Sequence, residues 1–245
     1  MAITTVERLL LAFLLLFTAF ANAENVTPSL ESEELYFKAL PYLEQIDDVQ
    51  NELINTRNQL PANTPTPEQI KEQFKNKIQP LFETGIPLLQ RSAAEGNPAA
   101  QYRLAWISSL FDPYEKVADQ VCLLLRASLG QGFVPAGLQM INYCFDEAKT
   151  PEFRSLIDAL PDSDARYSKY YPQPTMMPGC ERNHASRSNV IASLDDKGFR
   201  ANLYMSVSTQ MSRQNLKQEQ LSYLKKAAEY GCVSAIERLK LKAGS

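Results

Sequence analysis

The sequence predicts an all-α protein, built as a short, irregular solenoid of antiparallel helical hairpins. Three observations support this prediction: a segment that recurs along the chain, a spacing of 36 residues between two of its glycines, and a pair of cysteines placed almost symmetrically about one of those glycines. Recurrence at this length is typical of helical-repeat proteins, in which each hairpin buries its apolar face against the next hairpin.

The N-terminus has the three-part layout of a secretory signal. Arg8 precedes an apolar run from Leu9 to Phe20, and Ala21-Asn22-Ala23 follows as a small-x-small cleavage site. We expect cleavage after Ala23, which leaves a periplasmic chain of about 220 residues. The alternative is an uncleaved anchor, but the run is short for a bilayer span. No second run approaches that length, so we expect no permanent membrane anchor.

Two segments resemble each other closely, a third is a degenerate copy, and a fourth with a slipped register centres on Gly198. In the first three, a glycine separates two apolar stretches that contain alanine. These copies are residues 89–104 (LQRSAAEGNPAAQYRL), 224–239 (LKKAAEYGCVSAIERL) and 125–140 (LRASLGQGFVPAGLQM).

Each copy is expected to form a helical hairpin. The glycine (Gly96, Gly132 or Gly231) suits the left-handed conformation that ends a helix, and Pro98 or Pro135 suits the first turn of the next helix. Small residues let the paired helices approach closely, and leucines or methionine at helical spacing fill the space beside them. The small residues are Ala93, Ala100, Ala136, Ala228 and Ala235.

The stretch AAEGNPAAQYRLA resembles the core signature of the Sel-one-like repeats (SLRs), which are relatives of the tetratricopeptide repeat. The resemblance covers about a third of the chain. The Gly-rich loop that normally joins SLR units is missing after Phe111 and after Cys144, which predicts irregular stacking. The resemblance implies a protein-binding role, because SLR arrays serve mainly as adaptors in assemblies.

Helical spacing, caps and proline positions predict the elements in order. We expect a first helix over Ser32–Arg57, either continuous or divided near Pro41. A second runs from Thr66 to Glu95, kinked or divided by its prolines. The remaining predicted helices are Pro98–Leu110, Asp112–Leu129, Pro135–Ala148, Pro151–Leu160, Ala185–Asp195, Arg200–Met211 and Gln218–Lys242.

The predicted organisation has five parts. They are a signal peptide (1–23), an N-terminal helical segment with a Pro-rich loop (24–66), SLR-like hairpins (67–160), a Tyr- and Pro-rich loop (161–183) and C-terminal hairpins (184–245).

Four cysteines in an exported chain are read first as disulfides. Cys122 lies ten residues before Gly132 and Cys144 lies twelve after it, so the two face each other in an antiparallel hairpin. This spacing favours a Cys122–Cys144 bridge and leaves Cys180–Cys232 to pin the long loop onto the last turn. The other two pairings and free thiols are the alternatives.

Candidate sites for chemistry are few. His184 is the only histidine, and with Cys180 four residues upstream it does not complete a metal site. Ser222 and Lys225 fit the S-x-x-K motif of penicillin-recognising enzymes, but no K-T-G or S-D-N motif accompanies them. A hydrolase or penicillin-binding enzyme is therefore the less favoured alternative, and we expect a non-enzymatic protein without a cofactor.

The charge balance excludes one class of partner. The chain has a formal net charge of −3 and no basic run. Nucleic-acid binding depends on a concentrated positive surface, so we expect no nucleic-acid partner.

Two sets of residues are candidates for contact with a protein partner. Stacked hairpins expose the faces of their first helices, and the residues expected there are Gln90, Arg91, Arg126, Lys225 and Glu229. The long loop adds residues favoured at protein interfaces, namely Arg166, Tyr167, Tyr170, Tyr171, Met176 and Met177. The alternative is that its tyrosines fill gaps between helices.

Two roles for such a binding module are open. One is an immunity protein that neutralises a secreted antibacterial effector in the periplasm of its producer. The other is an adaptor in envelope assembly or signalling, for example in a flagellar motor or in polysaccharide export. The expected partner is correspondingly a secreted effector or an envelope component.

Export and cleavage can be tested by the mass of the protein recovered from the periplasm of a Gram-negative host. We expect an N-terminus at Glu24, and we expect Ala23→Arg to retain the signal because the peptidase needs a small residue there. Asn22→Gln, at the unrestricted middle position, should be processed normally. Recovery of an unprocessed, cytosolic wild-type chain would contradict the prediction.

Overall fold

The computed structural model describes residues 27–59, 67–176, 179–180 and 191–243. The proposed signal peptide, the first Pro-rich loop, Met177 and His184 lie outside these ranges. The α-helices are α1 (Leu30–Gln59), α2 (Pro67–Ala94), α3 (Pro98–Phe111), α4 (Tyr114–Gly130), α5 (Val134–Tyr143), α6 (Pro151–Asp158), α7 (Asp196–Arg213), α8 (Lys217–Glu229) and α9 (Val233–Ala243).

The prediction of an all-α, solenoid-like fold is confirmed. Helices that follow one another pack as neighbours, from α1 against α2 through to α8 against α9, except that α5 packs directly on α7. Two short 3₁₀ segments, Glu147–Lys149 and Ala165–Tyr170, and one two-stranded sheet complete the described fold. A single core runs along the array, with Trp106, Phe133 and Phe199 among its largest buried side chains.

The three repeat glycines all end helices in the predicted left-handed conformation. Their φ angles are 87° at Gly96, 90° at Gly132 and 89° at Gly231. At Gly132 the glycine N–H donates to the Leu129 carbonyl at 2.8 Å and the next N–H donates to the Ser128 carbonyl at 3.2 Å. This is the Schellman arrangement, and the other two glycine turns repeat it.

A fourth turn of the same type joins α7 to α8 without a glycine. Asn215 has a φ of 60°, and Leu216 N–H donates to the Met211 carbonyl at 2.9 Å. The prediction that Gly198 centres a fourth copy is wrong. Gly198 lies in the first turn of α7, where its N–H donates to the Asp195 side chain that caps the helix.

Both long N-terminal helices continue through their prolines. α1 contains Pro41, and α2 contains Pro80 and Pro87. The continuous first helix, one of the two predicted possibilities, is therefore confirmed, whereas a division of α2 at its prolines is wrong. All three prolines are exposed, and a helix tolerates proline better on its solvent side, where water can replace the missing hydrogen bond.

Two other boundaries differ from the prediction. The helix expected to reach Ala148 ends at Tyr143, and Ala148 lies in the Glu147–Lys149 3₁₀ segment. The helix expected over 218–242 is divided into α8 and α9 at the Gly231 turn. The propensities on both sides of that turn favour helix, so the left-handed glycine alone decides the break.

Residues 191–194 form a strand and not the end of a predicted helix. Strand β2 (Ile191–Leu194) pairs antiparallel with β1 (Gln173–Met176), with Gln173 opposite Leu194. Four residues are too few for their periodicity to distinguish strand from helix, and the pairing with β1 decides the conformation. Helix α7 then begins with Asp195 as its N-cap.

Residues 162–171, here called the tyrosine segment, run across the turns of the array. Asn97, next to the first glycine, donates to the Tyr170 hydroxyl at 3.1 Å. The Tyr167 hydroxyl donates to the Gln131 carbonyl at 2.7 Å, beside the second glycine. Tyr230, beside the third glycine, donates to the Asp162 carbonyl at 2.9 Å. One segment is thus hydrogen-bonded to all three glycine turns.

Both favoured disulfides are present. Cys122 on α4 joins Cys144 just beyond α5, with a Cα–Cα distance of 5.7 Å. Cys180 joins Cys232 in the α8–α9 turn, with a Cα–Cα distance of 4.7 Å. The near-symmetry of the first pair about Gly132 therefore indicated the correct connectivity.

Substitutions at two neighbouring glycines should have opposite effects on stability. Gly132→Ala places a Cβ on a left-handed residue and should lower the free energy of unfolding by about 1–2 kcal/mol. Gly130→Ala is the matched control, because Gly130 ends α4 with no atom within 4 Å of an added Cβ. It should raise stability by up to about 1 kcal/mol.

Urea unfolding followed by circular dichroism measures both changes. If both variants shift the urea midpoint of unfolding in the same direction, with the slope of the unfolding free energy against urea unchanged, the left-handed conformation of Gly132 does not explain the difference.

Candidate functional site

A groove of about 670 Å³ lies between helices α3, α5, α7 and α9. The last residue of β1, Met176, and Gly179 close one part of it. This volume falls in the range of protein sites that enclose a ligand. The groove is therefore our candidate functional site, and its floor, edge and walls differ in chemistry.

The floor of the groove contains Trp106, the only tryptophan in the chain. One helical turn earlier, Arg103 is 1% exposed and its Nη2 lies 2.8 Å from Oδ2 of Asp47 on α1. Burial raises the pKa of Asp47, and Arg103 opposes this rise. In the described part of the chain, Nε and Nη1 of Arg103 have no hydrogen-bond partner. A buried ion pair, in which part of the guanidinium has no hydrogen-bond partner, thus links α1 to α3 next to the groove.

A second polar link joins the sheet to the helices behind the groove. Gln173 donates to the Tyr36 hydroxyl on α1 at 2.8 Å, and the Tyr102 hydroxyl on α3 donates to the Pro174 carbonyl. Burial raises the pKa of both tyrosines. Both therefore stay protonated at neutral pH, and Tyr102 keeps its hydroxyl proton for this hydrogen bond.

One edge of the groove is aromatic. Tyr143 and Phe145 line it, and Phe145 is 53% exposed. The Tyr143 ring lies 5.0 Å from the ring of Tyr114, at the start of α4. Between the two lining aromatics, Cys144 bonds to Cys122. The disulfide therefore fixes this edge to the rigid body of α4.

The walls carry amides and hydroxyls. Gln139 donates to the Ser109 hydroxyl across the groove at 3.3 Å. Asn142 and Gln214 are exposed lining residues. An amide offers both donors and an acceptor, so this lining can hydrogen-bond a polypeptide backbone in either direction. Hydroxyls from α7 line the same wall, namely Ser206 and Thr209.

The charged residues of the described lining are all cations. Lys149, Arg213 and Arg238 line the groove, and no Asp, Glu, His or Cys is among its described lining residues. Lys149 pairs with Asp146 at 3.3 Å. Within the described ranges, neither arginine has an ion pair. The groove thus presents two arginines that are available to an anionic group.

A second cavity of about 410 Å³ lies beside the Gly132 turn and includes Asp164 and Arg166. Arg166 donates from Nη2 to Asp164 at 2.5 Å, and this hydrogen bond lowers the pKa of Asp164. Stability contributed by this pair is present above the ordinary Asp pKa and is lost as the pH falls through the lowered value. Both residues belong to the tyrosine segment, so the pair stabilises the local conformation of that segment.

The predicted helix-face residues lie outside the groove. Gln90 and Lys225 are exposed, as is Glu229. Arg91 lies 3.4 Å from Glu31, and Arg126 is bidentate to Glu147 at 2.5 and 2.7 Å. In the described chain, the helices that carry them (α2, α4 and α8) do not pack extensively on one another. The structure therefore does not bring this set together through helix packing.

The predicted tyrosine contacts point inward. Tyr167 and Tyr170 are 2% and 3% exposed, and Tyr171 donates to Asp196 at 3.0 Å. Their rings fill the space beside the turns, so the gap-filling alternative accounts for Tyr167 and Tyr170. Of this set, Met176 lines the groove and Arg166 lines the second cavity.

The S-x-x-K residues are on the surface. Ser222 and Lys225 are both exposed on α8, and neither lines the groove or the second cavity.

Sequence reasoning missed most of the groove. The single tryptophan, Trp106, lies two residues beyond the best-matching repeat copy (89–104) and was the one available signal. Arg213 and Arg238 carried no signal, because they lie on different helices and are brought together only by packing.

No protein-family model, no curated protein and no solved structure matches the chain. Among the described residues, no group of three or more His, Cys, Asp or Glu is arranged to hold a metal ion. No helix in those ranges is long and apolar enough to cross a membrane.

From the buried ion pair we expect a single substitution to destabilise the protein more than the double substitution does. Arg103→Met leaves the Asp47 carboxylate buried without a counter-ion and should cost about 3 kcal/mol or more. The double variant Asp47→Leu/Arg103→Met should recover most of this loss, because no buried charge remains. Arg91→Met, which breaks an exposed pair with Glu31, should cost under about 1 kcal/mol.

Thermal and urea unfolding of the wild-type protein and these variants measure the changes, with Asp47→Leu completing the cycle. A double variant that is as unstable as the sum of its single variants would show that the two charges do not depend on each other.

Proposed function

We propose that this protein is an exported, non-enzymatic binding module for another protein, and that the partner docks in the groove. One observation supports the site above all others: the groove combines an exposed aromatic edge with amides and two arginines that have no ion pair in the described chain. Aromatic residues and arginine are the side chains most enriched among the energetic centres of protein interfaces.

Rigidity of the groove supports the same proposal. The Cys122–Cys144 bridge fixes its aromatic edge, and the buried link between Asp47 and Arg103 holds its floor. A site that is already ordered loses little conformational entropy when a partner binds. Two disulfides are also consistent with a protein that works in an oxidising compartment.

The cellular role that we favour is immunity against a secreted antibacterial effector. An adaptor in envelope assembly or signalling is the alternative, and both roles follow from the SLR resemblance. The chemical identity of the docked partner separates them, because an effector is a toxic enzyme and an adaptor binds a resident envelope component.

Site-specific photo-crosslinking tests both the docking site and the role. Benzoylphenylalanine replaces Phe145, which is exposed on the groove edge and already aromatic. Matched controls replace Leu30 and Leu241, which are 74% and 76% exposed outside the groove. We expect a discrete covalent adduct from position 145 in the producing cell and none from the controls.

Mass spectrometry of the adduct then identifies the partner. A secreted enzyme supports immunity, whereas an envelope protein supports the adaptor role. The groove proposal is overturned if position 145 yields no adduct, or if adducts form equally from all three positions.

A further inference from the structure

The lining of the groove also indicates which part of a partner it recognises, if the proposed function holds. We propose that the groove binds an extended, acidic segment of the partner, with Arg213 and Arg238 contacting its carboxylates. Three properties of the lining support this: its charge, its hydrogen-bonding groups and its exposed aromatic edge.

The charge of the groove is opposite to that of the whole chain. The protein has a formal net charge of −3, yet the described lining has three cations and no carboxylate. Lys149 is neutralised by Asp146 at 3.3 Å, which leaves the two arginines. A positively charged groove in an acidic protein selects an acidic ligand and disfavours a basic one.

The helix dipole accounts for the position of one of the two arginines but not of the other. Arg213 lies in the last turn of α7, where a cation also offsets the partial negative charge of the helix end. Arg238 lies in the middle of α9, so the helix dipole does not account for it. Arg238 is therefore the residue whose position is best explained by a ligand, and it is the sharper target for mutation.

The uncharged lining fits a polypeptide. Asn142 and Gln214 are exposed amides at the groove, and amide side chains can pair with the N–H and C=O groups of an extended chain. Phe145, which is 53% exposed, and the partly buried Tyr143 supply apolar surface beside them. Side chains of an extended segment alternate in direction, so one face can meet the aromatic residues while acidic residues on the other reach the arginines.

Display of random twelve-residue peptides, selected on the processed, full-length protein, tests the inference and requires no identified partner. We expect the selected peptides to be enriched in Asp and Glu interspersed with apolar residues. For the best of these peptides, Arg238→Glu should weaken binding about tenfold or more, because a favourable charge contact becomes a repulsive one. Arg213→Glu should act in the same direction.

The matched control is Lys240→Glu. Lys240 is an exposed cation on the same helix, two residues from Arg238, and it does not line the groove. This change alters the net charge of the protein by the same amount, so it should leave the affinity within about twofold after screening by salt. Circular dichroism establishes that all three variants are folded.

Three outcomes overturn the acidic-segment inference. They are selected peptides without acidic enrichment, an equal loss of affinity in Arg238→Glu and Lys240→Glu, and the absence of any selected peptide. Each leaves the proposed function standing if position 145 still crosslinks to a protein, because a folded surface would then occupy the groove. Loss of that crosslink is the separate result that overturns the proposed function.

Discussion

Hydrogen bonds between the tyrosine segment and the three glycine turns are the constraint on which the array depends. Each turn reverses the chain through a left-handed residue, which fixes the two helices of a hairpin but not the position of one hairpin against the next. Tyr167, Tyr170 and the Asp162 carbonyl each bond beside a different turn. This segment therefore links the hairpins to one another through hydrogen bonds beside each of their turns.

The groove follows from this arrangement. Its walls come from α3, α5, α7 and α9, which are distant in sequence and meet only when the hairpins are held in register. The Asp47–Arg103 pair joins α1 to α3, the helix that contributes Trp106 to the groove lining. Such pairs are costly to desolvate and specify position more than they add stability. The Cys122–Cys144 bridge then fixes the aromatic edge.

Local sequence signals located the hairpins and left the groove unidentified. Gly96, Gly132 and Gly231 were recognisable because a left-handed helix end has a strong residue preference. Asn215 makes the same turn but was missed, because asparagine is also common in other turns and caps. The composition of the tyrosine segment suggested a binding loop. Tyrosine is favoured both at interfaces and in partly polar cores, so only the burial of the side chains distinguishes an interface tyrosine from a core tyrosine.

By itself the sequence determined the helical class and three of the four left-handed helix ends in the described chain, and it favoured the cysteine pairing that the structure contains. Each of these depends on residues close in sequence or on symmetry about a single turn. Only the tertiary structure decided that the prolines stay within continuous helices, that residues 191–194 pair as a strand, and that Arg213 and Arg238 share a groove. Those outcomes depend on solvent exposure and on contacts between distant segments, which local propensity does not encode.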